Sequence, residues 1–97
     1  MLFHGAFTIF AIGLGCFFKI STLEWIALSF AITLVFVTEL INTAIEFTID
    51  LYTREKKMLA MLSKDTAAGA VLVASINALI IGYLLFYHRL ATLIHGG

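Results

Sequence analysis

The sequence predicts an all-α membrane protein with three transmembrane helices per subunit, and three observations predict it. Hydrophobic residues fill 62% of the 97 positions, charged residues only 12%, and no proline interrupts a helix. A soluble domain averages about 45–50% apolar and about 25% charged residues. A globule of this size would also leave most of its apolar side chains facing water. The net charge of zero leaves no basic footprint for nucleic acid, which is therefore excluded as a partner. Disordered and collagen-like chains are excluded by the same composition. Cys16, the single cysteine, has no cysteine partner for a disulfide or a metal site and is expected to pack.

About 20 residues at 1.5 Å each cross about 30 Å of hydrocarbon. The first such stretch, residues 2–18, holds His4 as its one ionisable residue besides Cys16, with Lys19 placed to snorkel to the interface. It has neither a basic leader nor a small-residue cleavage site after Phe18, so a cleaved signal peptide is the weaker reading. A short turn over residues 19–25 follows, with Trp25 at interfacial depth. The second span begins near Leu23, is charge-free between Glu24 and Glu39, and stays largely apolar through Ile49 while carrying Glu39, Asn42 and Glu46. The third, residues 66–87, is charge-free and closes on Tyr83, Tyr87, His88 and Arg89, an aromatic belt and anchor. Within it Ala70, Ala74, Ala78 and Gly82 recur every four residues, a small-residue ridge that lets helices approach closely in lipid. Phe7, Phe10, Phe17, Phe18, Phe30 and Phe36 are expected to pack or face lipid. Arg54, Lys56, Lys57 and Lys64 concentrate positive charge between the second and third spans. The positive-inside rule then sets that connection and the N-terminus on the cytoplasmic side and the C-terminus outside.

Outside residues 39–65 the only charges are Lys19, Glu24 and Arg89. Charge near a bilayer is costly unless something uses or neutralises it. On a helix turning about 100° per residue, Glu39, Asn42, Glu46 and Asp50 fall within an arc of about 80° and form a stripe about 16 Å long. Three carboxylates on one face need cations, a metal ion or water beside them. Such a face with open positions suits Mg²⁺, which takes few protein ligands and completes its shell with phosphate oxygens and water. Two plainer readings compete. Asp50 and Glu46 can be the solvated end of a span, and Glu39 can be the relay carboxylate of a small helical channel or ion-coupled membrane subunit. Asp65 reads most simply as a helix N-terminal cap, with Lys64 adding a cation beside the stripe.

Read in order, Glu39-Leu-Ile-Asn42-Thr-Ala-Ile-Glu46-Phe-Thr-Ile-Asp50, a short charged loop and Lys64-Asp65-Thr-Ala-Ala-Gly69-Ala-Val resemble the prokaryotic integral-membrane diacylglycerol kinase family over the whole chain. The segment from Lys64 to Leu72 is more similar to members that act on undecaprenol. The resemblance implies one domain over residues 1–97, assembled as a homotrimer with active sites between neighbouring subunits at the cytoplasmic face. It implies transfer of the γ-phosphoryl of Mg-ATP to a membrane lipid alcohol, undecaprenol before diacylglycerol. Glu39 matches the family's catalytic base, Glu46 a Mg²⁺ ligand, and Asn42, Asp50, Glu55, Lys64 and Asp65 the nucleotide environment. An acid at lipid depth can meet a lipid hydroxyl, while the metal and lysine lie nearer the side where ATP arrives. The chain carries no G-x-x-x-x-G-K-[ST] loop, in keeping with a family unrelated to P-loop enzymes.

Two departures accompany the resemblance. Lys56-Lys57 stand where the family carries a tyrosine and a histidine, so phosphate attraction is kept and an adenine contact is lost. The family's N-terminal surface helix, with a second metal-binding glutamate, has no counterpart upstream of the first span, and His4 suits magnesium poorly. The expectation is a chain that inserts from Met1 with little kinase activity until upstream sequence is restored.

Overall fold

The computed structural model describes residues 2–96, without the side chains of residues 2–4. Met1 and the His4 side chain lie outside the described residues. Three helices make up the described residues: α1 (Leu2–Phe18), α2 (Thr22–Tyr52) and α3 (Met58–Ile94). They lie side by side in a rod of 57 × 21 × 20 Å.

The turn between α1 and α2 is tight. Lys19 takes a left-handed conformation at φ 51°, and its N–H and that of Ile20 donate to the carbonyls of Cys16 and Gly15 at 3.3 and 3.2 Å. Ser21 then caps α2. Its hydroxyl accepts from the Glu24 N–H at 3.2 Å, and its own N–H donates to Glu24 Oε1 at 3.0 Å. This reciprocal box satisfies two donors that a helix start leaves open, so Glu24 and Trp25 belong to the first turn of α2 rather than to the connection.

α2 ends where Thr53 becomes extended, its N–H still bonded to the Ile49 carbonyl at 2.7 Å. The loop is only residues 53–57, closed by Glu55 N–H to Thr53 Oγ1 at 3.0 Å and Lys57 N–H to the Glu55 carbonyl at 2.9 Å. α3 starts at Met58, earlier than the hydropathy of the third span indicates. Met58-Leu-Ala-Met-Leu are all strong helix formers, which is the physical reason. Lys64 and Asp65 therefore lie in the second turn of α3, and Asp65 is not its cap.

α2 and α3 form an antiparallel hairpin clasped at both ends, by Arg89 on Glu24 at 2.7 Å and by Lys64 on Asp50 at 2.6 Å. Between the clasps the seam buries Leu28, Ala31 and Val35 of α2 and Ala67, Ala74 and Phe86 of α3. Ala74 belongs to the small-residue ridge, whereas Ala70 is exposed. α1 joins at the end where α2 begins. There Ile20, Leu28 and Phe86 make a small core with Ala11, Leu14, Phe18 and Trp25 around it. Gly15 lies under the Trp25 indole so closely that a Cβ there would stand 2.6 Å from Cη2. Cys16, the next residue around α1, is exposed rather than packed, because the helix turns it about 100° from that contact.

Most large apolar side chains face outward, among them Phe7, Phe10, Phe17, Phe30, Leu34, Val73 and Leu84. α2 and α3 are each long and apolar enough to cross a membrane, and α1 adds a shorter apolar helix over Gly5–Phe18.

Candidate functional site

The polar stripe continues the face of α2 that packs the seam. Counted at about 100° per residue from Glu39, Leu28 and Val35 lie within the same sector as Asn42, Glu46 and Asp50, and Ala31 lies just beside it. One face thus carries two chemistries, apolar packing for its first half and carboxylates for its second. Glu39 is half-buried one helical turn beyond Val35.

Asn42 and Glu46 are joined by a hydrogen bond from Asn42 Nδ2 to Glu46 Oε1 at 3.1 Å. The amide therefore restrains one carboxylate oxygen and leaves the other open. Asn42 Oδ1 is buried without a hydrogen-bond partner, a site poised to accept from an incoming donor or to coordinate a cation. Glu46 itself is exposed. Asp50 and Lys64 form the ion pair at the stripe's far end, their side chains 40% and 38% exposed. Well over half of the Lys64 side chain is therefore covered.

The clasps at Asp50–Lys64 and Glu24–Arg89 share one antiparallel register. Carried along the hairpin, it puts Glu46 level with Ala67 and Glu39 level with Ala74, the two buried alanines of α3. Small residues opposite the acids keep the backbones close and leave room beside the carboxylates.

The structure thus brings together Asn42 with Glu46 and Asp50 with Lys64, and sets Glu39 on the same face. It does not bring Glu55 or Asp65 to them. Glu55 is exposed in the loop, and Asp65 is exposed on α3 one residue beyond Lys64. The Glu24–Arg89 clasp was not legible as a pair, although both were isolated charges at opposite ends of two spans, and that isolation was the available signal.

Among the described residues, no three His, Cys, Asp or Glu side chains are grouped to hold a metal ion. The oxygens of Glu46 and Asn42 are hard donors of the kind Mg²⁺ prefers, and Mg²⁺ takes only one or two protein carboxylates when phosphates supply the rest. The donor set fits that ion and suits zinc or copper poorly.

A helical chain with an apolar exterior, an acidic helix face and a cation at one end has the equipment of a membrane-embedded transferase of charged groups. The family model for prokaryotic diacylglycerol kinase matches residues 1–86, and the chain belongs to that family of lipid kinases. It is 41% identical over 88 residues to the undecaprenol kinase of Bacillus subtilis (strain 168), covering 91% of this chain and 72% of that protein. It is also 50% identical over 50 residues to the diacylglycerol kinase of Synechocystis sp. (strain ATCC 27184 / PCC 6803 / Kazusa), covering 50% of this chain and 29% of that one.

Proposed function

We propose that the chain transfers the γ-phosphoryl of Mg-ATP to the hydroxyl of a membrane lipid alcohol, undecaprenol in preference to diacylglycerol. The observation that carries this is the continuous face from Glu39 to the Asp50–Lys64 pair, which joins lipid depth to the aqueous side. If the Glu24–Arg89 clasp marks one edge of the hydrocarbon, about 30 Å of helix ends near Ala44 on α2 and Gly69 on α3. Glu39 then lies about 7 Å inside the apolar layer, Glu46 at its edge, and Lys64 among the headgroups.

In this arrangement Glu39 takes the proton of the lipid hydroxyl. The freed oxygen attacks the γ-phosphorus, the bond to the β–γ bridging oxygen breaks, and ADP leaves. Lys64 offers its ammonium to the phosphates. Asn42 holds Glu46 by the bond at 3.1 Å, and Glu46 with the open Asn42 Oδ1 would hold Mg²⁺. When bound, the ion would neutralise the charge that builds up on the phosphate oxygens. Asp65 and Glu55 stand at the nucleotide's approach. All three helices cross the bilayer, α1 by its shorter apolar length, with the N-terminus and the 53–57 loop in the cytoplasm. Three copies assemble, and neighbouring subunits share each site. The 41% identity to an undecaprenol kinase supports the choice of lipid.

The test is transfer of labelled phosphate from ATP by the purified chain to undecaprenol, diacylglycerol and ceramide in mixed micelles. The expected result is Mg²⁺-dependent labelling of undecaprenol above diacylglycerol. Ion flux through reconstituted vesicles without labelling of any alcohol would instead make Glu39 a relay acid.

A further inference from the structure

The helix faces that carry the polar site also enclose an apolar cleft of about 530 Å³, lined among others by Phe7 of α1, Leu28 and Val35 of α2, and Ser75, Gly82 and Phe86 of α3. Leu28 and Val35 share the sector of the stripe on α2. On α3, Ser75 and Gly82 lie within about 20° of Lys64 around the helix. Cleft and polar site are therefore successive lengths of one groove along the hairpin, and α1 adds a third wall to the apolar length.

Depth sets this cleft apart from the reach of ordinary lipid. With the Glu24–Arg89 clasp at one hydrocarbon edge, Ser75 stands about 9 Å inside the opposite edge, close to the level of Glu39, and Phe86 about 25 Å inside it. The midplane falls at about 15 Å. The cleft thus begins beside Glu39 and continues well into the far half of the bilayer. An acyl chain entering from the cytoplasmic side is matched to one leaflet and ends partway along. A chain longer than one leaflet can run the whole length.

The wall is also pitted. Ala31, Ala78 and Gly82 line the cleft between larger side chains such as Leu28 and Phe86, and no atom stands within 4 Å of a Cβ built on Gly82. A straight acyl chain leaves such pits empty, whereas a chain with a side methyl on every unit can fill them and gain the dispersion contacts that an empty pit forfeits.

We propose that this cleft holds the isoprenoid chain of the lipid alcohol, and that its length and the pits at Ala78 and Gly82 are what favour undecaprenol over diacylglycerol. The inference rests on the proposed phosphoryl transfer only in seating the hydroxyl at Glu39. Isoprene units beyond Phe86 leave through the cleft's open side into lipid.

Two readouts test it on the full chain in phosphatidylglycerol vesicles. In the first, kcat/KM with Mg-ATP is compared for undecaprenol and for geraniol, which is too short to reach Gly82. Gly82→Leu fills the cleft, and the expected result is an undecaprenol preference lowered about tenfold, the loss when about two methylene groups forfeit their burial. Geraniol turnover stays within about twofold. Gly13→Leu, on α1 outside the cleft and equally free of neighbours, leaves both alcohols unchanged. An equal loss for both alcohols in Gly82→Leu would make Gly82 a packing residue and overturn the proposal.

The second readout needs no turnover. Geranylgeraniol with a diazirine at its far end is photolysed with the chain, and the expected label falls on Leu28 and Phe86, is displaced by undecaprenol and is lost in Gly82→Leu. Label on the outward-facing Phe30 and Leu84 would place the chain in bulk lipid, and no label in the cleft would mean that phospholipid or another copy fills it. Either result overturns the proposal, even if the alcohols are phosphorylated. Label in the cleft without phosphorylation of any alcohol would sustain the cleft and sink the kinase reading.

Discussion

At Glu39 a carboxylate stands one turn beyond Val35, the last buried residue of α2 in its seam with α3, where the proposed mechanism needs its base. Glu39→Gln keeps the shape and removes the basicity, so kcat is expected to fall by about 10²-fold or more while helix content is unchanged. Near-normal turnover at saturating ATP and lipid would remove Glu39 from the chemistry. Glu46 differs because Asn42 already holds one of its oxygens. Glu46→Gln exchanges an anionic ligand for a neutral one, and the expected outcome is a higher Mg²⁺ requirement in a titration of initial rate. An unchanged Mg²⁺ midpoint would place the ion elsewhere. Gly15 offers a test of packing independent of catalysis. A methyl group there would meet the Trp25 ring at 2.6 Å, so Gly15→Ala should destabilise α1 docking by about 1–3 kcal/mol, the usual cost of overfilling a packed site. A red shift of the single tryptophan's fluorescence in Gly15→Ala micelles, at unchanged helicity, reads that loss directly.

Among the elements, α2 and α3 were legible because charge-free runs and their flanking residues mark helices in lipid without need of tertiary information. The stripe was legible for a similar reason, since the spacing of Glu39, Asn42, Glu46 and Asp50 defines a face before any partner is known. The start of α3 was not, because hydropathy sees the charges at Lys64 and Asp65 but not the helix-forming residues 58–63 that carry the helix beyond the apolar layer. Nor was the pairing of Glu24 with Arg89, which are 65 positions apart and meet only once the hairpin closes. That bidentate clasp predicts coupling. Glu24→Gln and Arg89→Gln should each lower the midpoint of unfolding in sodium dodecyl sulfate, and the double variant should lower it by less than the two losses together. Strict additivity would show that the two side chains hold the hairpin independently.

On the scale of the whole molecule, a rod whose buried apolar side chains are Ile20, Leu28, Ala31, Val35, Ala67, Ala74 and Phe86 among the described residues has little interior of its own. Close association with further copies would supply one, in line with the proposed trimer. Subunits carrying Glu39→Gln and subunits carrying Lys64→Ala, each inactive alone, should regain partial kinase activity when co-assembled if sites draw on neighbouring subunits. A mixture as inactive as its parts would confine each site to one chain.

The two clasps also make the protein a gauge. Glu24 and Asp50 are about 39 Å apart along α2, and Lys64 and Arg89 about 37 Å along α3, so the charged ends are fixed on a nearly rigid strut while lipid thickness varies between membranes. With Glu39 as the proposed base, bilayers of longer acyl chains would draw the Asp50–Lys64 clasp toward hydrocarbon and set Glu39 deeper than the lipid hydroxyl. Thinner ones would raise the acid to meet water. Phosphorylation rate plotted against acyl-chain length should therefore pass through a maximum, making membrane thickness itself a control on how fast the lipid is turned over.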